Sequence, residues 1–367
     1  MPDNKISNKP RILLAPLDWG LGHTTRCVPI IEELLEQGCE VILAGNTDQE
    51  ALLKAEFPSL DFLSLPGYNV RYANKGRNMP WKILQQFSRI KKSIRREHQW
   101  LKQKVEEMNI DAVISDNRFG LYHEKIPCAF ITHQLTIKSP WKWTERIIQK
   151  KNYHYINRFA ECWVPDHEGN DNLAGELSHP IYKPNCPIRY LGHLTRFKKK
   201  GITEIKNSLL IILSGPEPQR SIFENKIIDQ VSKFPGTATI IRGLPASKSM
   251  IPSTNSIYFF NHMPAEQLNE EMEKAEFVIA RSGFSTIMDA MSLHKKCIFI
   301  PTPGQTEQNY LAKYLSEKKF CFIADEKNFS LTDSLNKASG FDFQFPETGK
   351  NNNLKDVVRQ FLTTLSA

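Results

Sequence analysis

The sequence predicts an α/β protein made of two units, each built on a parallel sheet, facing one another across a cleft. Three observations carry this. Short apolar runs of three to six residues alternate with helical patterns from residue 11 onward. The alternation breaks over 165–207, where Pro165, Pro180, Pro184, Pro187 and the basic run Lys198-Lys199-Lys200 read as a connector. It then restarts and runs to the end of the chain. Buried strands separated by helices are the signature of β-α-β units and a parallel sheet.

In the first unit, Arg11–Ala15, Val41–Ala44, Leu60–Leu65, Ala112–Ser115, Cys128–Thr132 and Cys162–Val164 read as strands. Pro29–Gln37, Trp81–Met108 and Trp141–Phe159 read as the helices between them. In the second unit the strands are Leu209–Leu213, Thr237–Ile241, Ser256–Phe260, Phe277–Ala280, Cys297–Ile300 and Phe320–Ile323. Its helices are Gln219–Lys233, Ala265–Lys274, Phe284–Leu293 and Thr306–Glu317, followed by a last amphipathic helix over Leu354–Leu365. In such sheets, ligands bind outside the carboxyl ends of the strands.

Length and composition bound the function. At 367 residues the chain suits about two domains, and 40% hydrophobic with 24% charged residues is ordinary for a globular protein. No apolar run approaches the roughly 18 residues of a membrane span, and residues 1–10 lack the apolar stretch of a secretory signal. The seven cysteines are scattered through apolar segments with no C-x-x-C, which fits reduced core thiols and a cytoplasmic setting. The net charge of +8 is concentrated: residues 71–158 hold 19 Lys/Arg against seven acids. Within 71–100, Trp81, Ile83, Leu84, Phe87, Ile90 and Ile94 recur at helical spacing among basic residues. Such a face can lie on an anionic membrane, or it can be an ordinary amphipathic helix with a solvated basic side.

Strand-to-helix loops carry the candidate chemistry. Gly20 and Gly22 precede His23 in Gly-Leu-Gly-His, but Thr25 stands where a dinucleotide fingerprint wants a third glycine, so hydride transfer is disfavoured. His23 opens a helix beside the cleft, as a general base or as a packed capping histidine. Asp116 follows a strand and either orients His23 or caps the next turn. In the second unit, Arg281-Ser282-Gly283 joins a strand to a helix. Ser282 and Gly283 would present backbone N–H groups and a positive helix end to an anion such as a diphosphate. Asp289, two turns on, is placed to reach a ribose. Gly304, Thr306, Glu307 and Gln308 form a second such loop suited to a sugar, and Ser214-Gly215 a weaker third, because its prolines withhold N–H groups. There is no D-x-D, no His/Cys set at metal spacing, no P-loop and no G-x-S-x-G, so no metal is expected.

In these residues the chain resembles the GT-B glycosyltransferases related to family 28, the group that includes the lipid-linked N-acetylglucosamine transferase. The strongest part is 277–315, and Gly-Leu-Gly-His23, Asn172–His179 and Gly192–Arg196 extend it over both halves. The resemblance implies two Rossmann-like domains: 1–195 for the acceptor, a linker at 196–207, 208–345 for the nucleotide sugar, and 352–367 packing back on the N-terminal domain. It implies inverting, metal-independent transfer from a nucleotide diphosphosugar, UDP-linked as a rule, as co-substrate rather than cofactor. His23 and Asp116 would be catalytic. Ser214, Gly215, Arg281, Ser282, Gly283, Asp289, Gly304, Thr306, Glu307 and Gln308 would bind the donor. Gly20, Gly22, Arg26, His133 and Gln134 would face the acceptor, expected to be a lipid or lipid-linked molecule. The enzyme would sit in the cytoplasm, peripheral to the inner membrane face through 71–100. Two departures stand out: Asp289 replaces the family's usual Glu, and Leu311 replaces its Asn. The alternatives are a nucleotide-sugar epimerase of the same fold and a basic nucleic-acid-binding protein. No nucleic acid is expected, since the basic segment lacks RNA-module signatures.

Overall fold

A computed structural model describes residues 9–68, 79–139, 142–245, 247–347 and 353–365. In the first half the chain runs β1 (Arg11–Pro16), α1 (Leu21–Glu36), β2 (Glu40–Gly45), α2 (Thr47–Glu56), β3 (Asp61–Ser64), α3 (Met79–Met108), β4 (Ala112–Asp116), β5 (Cys128–Ile131), α4 (Lys142–Ile156), β6 (Glu161–Val164) and β7 (Ile188–Tyr190). These strands form one seven-stranded sheet in the order β3-β2-β1-β4-β5-β6-β7, and every pairing is parallel.

The second half runs β8 (Ile205–Ile212), α5 (Gln219–Val231), β9 (Thr237–Ile241), β10 (Ile257–Phe260), α6 (Ala265–Lys274), β11 (Ala275–Ala280), α7 (Phe284–Ser292), β12 (Cys297–Phe299), α8 (Thr306–Glu317), β13 (Phe322–Ile323), α9 (Leu331–Ser339) and α10 (Leu354–Thr363). Its six strands are ordered β10-β9-β8-β11-β12-β13, again all parallel. The strand order reverses between β1 and β4 in one sheet and between β8 and β11 in the other. These are the switch points where such sheets leave a crevice at their carboxyl edge.

The two halves share one apolar cluster. Cys27, Val28 and Ile31 of α1 belong to it with Ile287, Met288 and Met291 of α7. Val357, Val358 and Phe361 of α10 join the same cluster, and the Phe361 ring stands edge-on to Trp163 of β6 at 5.3 Å. Hence α10, last in the chain, is buried against the first sheet. All seven cysteines are buried and unpaired.

Several elements depart from the sequence reading. The first helix begins at Leu21, not Pro29. Gly20, at φ +94°, makes the turn into it, and Pro29 is accommodated inside the helix. Helix α2 escaped the periodicity because it buries only Gln49 and Leu53. Its signal is a capping box, Asn46 with Gln49. The expected connector also carries β7, and β8 begins at Ile205 within it. The stretch after β6 is folded by a buried carboxylate: Asp166 accepts from the N–H groups of His167, Leu173 and Ala174 and from the Ser178 hydroxyl. Much of the 71–100 face lies outside the described residues. Of its apolar positions the structure places Ile90 and Ile94, and Ile94 is buried against Leu17 and Tyr68. Among the described residues no helix is long and apolar enough to cross a membrane.

Candidate active site

At the N-terminal switch point, Asp116 ends β4 in register with Pro16 of β1. The helical spacing of three residues puts His23 and Arg26 on the same face of α1, over that carboxylate. His23 Nδ1 lies 3.1 Å from Asp116 Oδ2. Arg26 grips Asp116 with both arms, Nε at 2.9 Å from Oδ2 and Nη2 on Oδ1. The same guanidinium lies 2.9 Å from His23 Nδ1 and 3.1 Å from His133 Nδ1. Asp116 and Arg26 are fully buried, while the His23 side chain keeps 18% exposure.

Burial alone would raise the Asp116 carboxyl. The Arg26 charge, followed by His23, overrides it and holds the group well below the usual carboxylate range. For His23 the balance runs the other way. Burial, then Arg26, push the imidazole down against the opposing pull of Asp116, which favours the neutral ring. A ring that donates Nδ1–H to Asp116 keeps its Nε2 lone pair free to take a proton, and in that tautomer Arg26 Nη2 approaches Nδ1 without a hydrogen bond to it.

The C-terminal side meets this cluster with loops. Glu307, in the first turn of α8, places Oε1 2.7 Å from His133 Nε2. Burial would raise its carboxyl, but His133, then His23 and Arg26, pull it down. Phe284 of α7 stacks on His133 at 4.3 Å. Ser285 Oγ donates to the Gly22 carbonyl at 2.8 Å, and Thr306 Oγ1 to that of Lys138 at 3.2 Å. Helices α7 and α8 both start without a side-chain cap, at Gly283 and Gln305. Their first N–H groups are therefore open to an anion at neighbouring strand ends. Gln308 ties the two loops together: its carbonyl accepts from Ser282 Oγ at 2.9 Å, and its Oε1 from the Thr302 N–H at 2.8 Å.

The structure brings most of the sequence-derived residues to one edge, with changed duties for several. Arg26 is not on an acceptor surface; it is the buried hub of the His23–Asp116–His133 cluster. Gly22 lies at the contact between the halves, where a Cβ would come 2.9 Å from Ser285 Oγ. Arg281 faces away from the cleft. It pairs with Glu326, donates to the Ile300 and Gln219 carbonyls and lies over the Phe223 ring at 4.5 Å, so it holds the loop from behind. Asp289 accepts from Thr195 Oγ1 at 2.6 Å, and burial pushes its carboxyl up to about 6. Gln134 sits beside His133, its carbonyl taken by Asn152 at 3.2 Å. Gly20 and Gly304, at φ +94° and +84°, have open space where a Cβ would stand, and Gly215 is exposed at the end of β8. Sequence reasoning missed Phe284, Thr195 and the reach of Glu307 to His133, because all three depend on how the halves meet.

Two parallel-sheet units facing one another across a cleft have the architecture of the GT-B fold. Residues 252–360 match the glycosyltransferase family 28 C-terminal domain. Over 330 residues the chain is 21% identical to the UDP-N-acetylglucosamine--N-acetylmuramyl-(pentapeptide) pyrophosphoryl-undecaprenol N-acetylglucosamine transferase of Haemophilus ducreyi, covering 86% of this chain and 85% of that one. Among solved structures it resembles the glycosyltransferase of kitacinnamycin, with TM-score 0.63, 13% identity, and coverage of 98% and 96%. It also resembles MurG of Acinetobacter baumannii, with TM-score 0.56, 11% identity, and coverage of 96% and 99%. The protein is a glycosyltransferase of GT-B fold, and over residues 252–360 it is similar to family 28.

Proposed function

We propose that the protein moves a sugar from a nucleoside diphosphate sugar, UDP-linked, to a hydroxyl of a lipid or lipid-linked acceptor, in one inverting step without a metal ion. The observation that carries this reading is the juxtaposition of His23 with the uncapped start of α7, clasped by the Ser285–Gly22 hydrogen bond. His23 Nε2 takes the acceptor proton as the acceptor oxygen bonds to the anomeric carbon. The bond from that carbon to the diphosphate breaks on the opposite face, so the configuration inverts. The leaving diphosphate gains negative charge, and the N–H groups opening α7 and α8 stabilise it in the place a cation would take. Asp116 holds the His23 ring and favours its charged form as the proton arrives. Asp289 takes the ribose, and Glu307 with Gln308 the sugar.

Residues 1–195 form the acceptor half and 208–345 the donor half. The acceptor half works at the cytoplasmic face of a membrane, drawn there by the excess of Lys/Arg in 71–158. The Haemophilus relative, named for a UDP-sugar donor and an undecaprenol-linked acceptor, supports both substrate classes.

A donor screen reading nucleotide release, with and without polyprenyl-phosphate and saccharide acceptors, tests the reading. Acceptor-dependent release from a UDP-sugar, unaffected by EDTA and with NMR showing the inverted anomer, is the expected result. Retained configuration, or activity lost in EDTA and restored by Mg²⁺ or Mn²⁺, would refute the mechanism. Isomerisation of the donor alone would replace the transferase with an epimerase.

A further inference from the structure

The carboxyl ends of β8, β11 and β12 are neighbours in the second sheet and present Gly215, Ser282 and Thr302 side by side. Two of the three have clear local roles. Gly215 makes a turn at φ +102°, and Ser282 Oγ donates to the Gln308 carbonyl. Thr302 is different. It is 1% exposed, its N–H is taken by Gln308 Oε1, and its hydroxyl has no hydrogen-bond partner among the described residues. Buried hydroxyls are as a rule satisfied, because one left without a partner loses its hydration for nothing. Valine would fill the same volume without that loss. Pro301 and Pro303 flank the residue and limit the backbone on either side.

The hydroxyl is aimed at a gap. A Cβ built on the exposed Gly215 would have Thr302 Oγ1, at 3.8 Å, as its only neighbour within 4 Å among the described residues beyond those adjacent in the chain. A side chain at 215 would thus stand against this buried oxygen, and glycine leaves that position empty. The uncapped start of α7, at Gly283, opens on the strand between them. A negative group drawn to that helix end would come to the strand end beside the hydroxyl, which can rotate to donate to it.

We propose that Thr302 Oγ1 is a substrate-binding group that donates a hydrogen bond to an oxygen of the donor's diphosphate. The proposal rests on the donor-site reading above. Asp289, the ribose residue of that reading, is held by Thr195 on the linker side, so the hydroxyl serves the phosphate end of the ligand rather than the nucleoside.

Calorimetry with UDP and with uridine, on the wild type, Thr302→Val and Thr302→Ser, tests it alongside thermal unfolding. Thr302→Val should raise the UDP Kd about five- to tenfold, leave the uridine Kd unchanged, and leave the unfolding midpoint unchanged or higher. Thr302→Ser, which keeps the hydroxyl, should bind UDP within about twofold of wild type. If Thr302→Val does not fold, Thr302→Ala gives the same comparison. Equal UDP affinity in wild type and the hydroxyl-less variant overturns the proposal alone. So does a Thr302→Val protein that loses stability yet binds UDP normally, since the hydroxyl would then have a structural partner. A wild type that binds no UDP overturns the donor reading and this proposal with it.

Discussion

Across the cleft the two sheets offer different chemistry. Where β1 and β4 end, the chain presents side chains: His23, Arg26, Asp116 and His133, wired together within 3.1 Å or less. Where β11 and β12 end, it presents backbone: Gly283 and Gln305 opening uncapped helices, with Ser282 and Gln308 bracing the loops. A proton must be taken by a group with a tunable pKa, and side chains supply that. A diphosphate needs several fixed donors, and helix ends supply those at no cost in side-chain ordering. The N-terminal edge should therefore lose more to a single substitution than the C-terminal edge does.

The largest expected effect probes that division. His23→Ala should lower turnover about 10²–10⁴-fold while leaving UDP affinity, measured by calorimetry, close to wild type. Arg26 and Asp116 retain each other in this variant, so the fold should survive. Near-normal turnover would move the base elsewhere, with His133 next to test. A large loss of UDP affinity would mean that the two edges are not separate in function.

The division also explains what the sequence revealed. Asp116 and His23 were legible because each follows a strand, and strand ends converge at a switch point. Ser282–Gly283 and Thr306–Gln308 were legible because a Gly or Thr between strand and helix marks a helix start. The part Arg26 plays was hidden although its spacing from His23 was in view, because one arginine serving Asp116, His23 and His133 is a three-dimensional fact. Arg281 sits between a strand and Ser282, which made it look like a ligand residue. Its partner Glu326 is 45 residues away, so no local pattern could expose the ion pair. The connector hid β7 because that strand has three residues and is held by sheet pairing rather than by its own periodicity.

The next effect sets the buried Asp116 against the half-buried Asp289. Asp116 has a folded pKa below its unfolded one, since Arg26 and His23 outweigh burial. Its contribution to stability is complete above about pH 4 and is lost as the pH falls further. Asp289 has only the Thr195 hydroxyl and the field of Arg196 against its burial, and its pKa rises to about 6. The folded protein then holds a proton that the unfolded chain releases, so this group's contribution is full below about pH 4 and declines as the pH rises to about 6. Asp289→Asn keeps an acceptor for Thr195 and removes the penalty. Urea unfolding should show the variant stabilised at pH 8 by about 2 kcal/mol at most, after allowing for the partial exposure of the side chain, and unchanged at pH 4. Stabilisation of the same size at both pH values would contradict the account.

The smallest effect concerns the charge that joins the two edges. Glu307 belongs to the backbone-rich side yet pairs with His133 on the side-chain side, and its own side chain is 36% exposed. Water screens a pair of that exposure, so Glu307→Gln should cost less than about 1 kcal/mol in stability. The substitution preserves shape and can still hydrogen-bond His133, so its main consequence should be electrostatic. Glu307 is the negative charge that faces Arg26 and His23 from across the cleft. Removing it should lower the His23 pKa further, because fewer anions then favour the imidazolium. The acid limb of the turnover profile, which falls as His23 protonates, should therefore shift to lower pH. A double-mutant cycle with His133→Ala separates the direct pair from the field. If the limb shift persists without His133, the field of Glu307 acts on His23 directly. If it vanishes, the influence passes through His133, and the two edges are coupled by that one histidine.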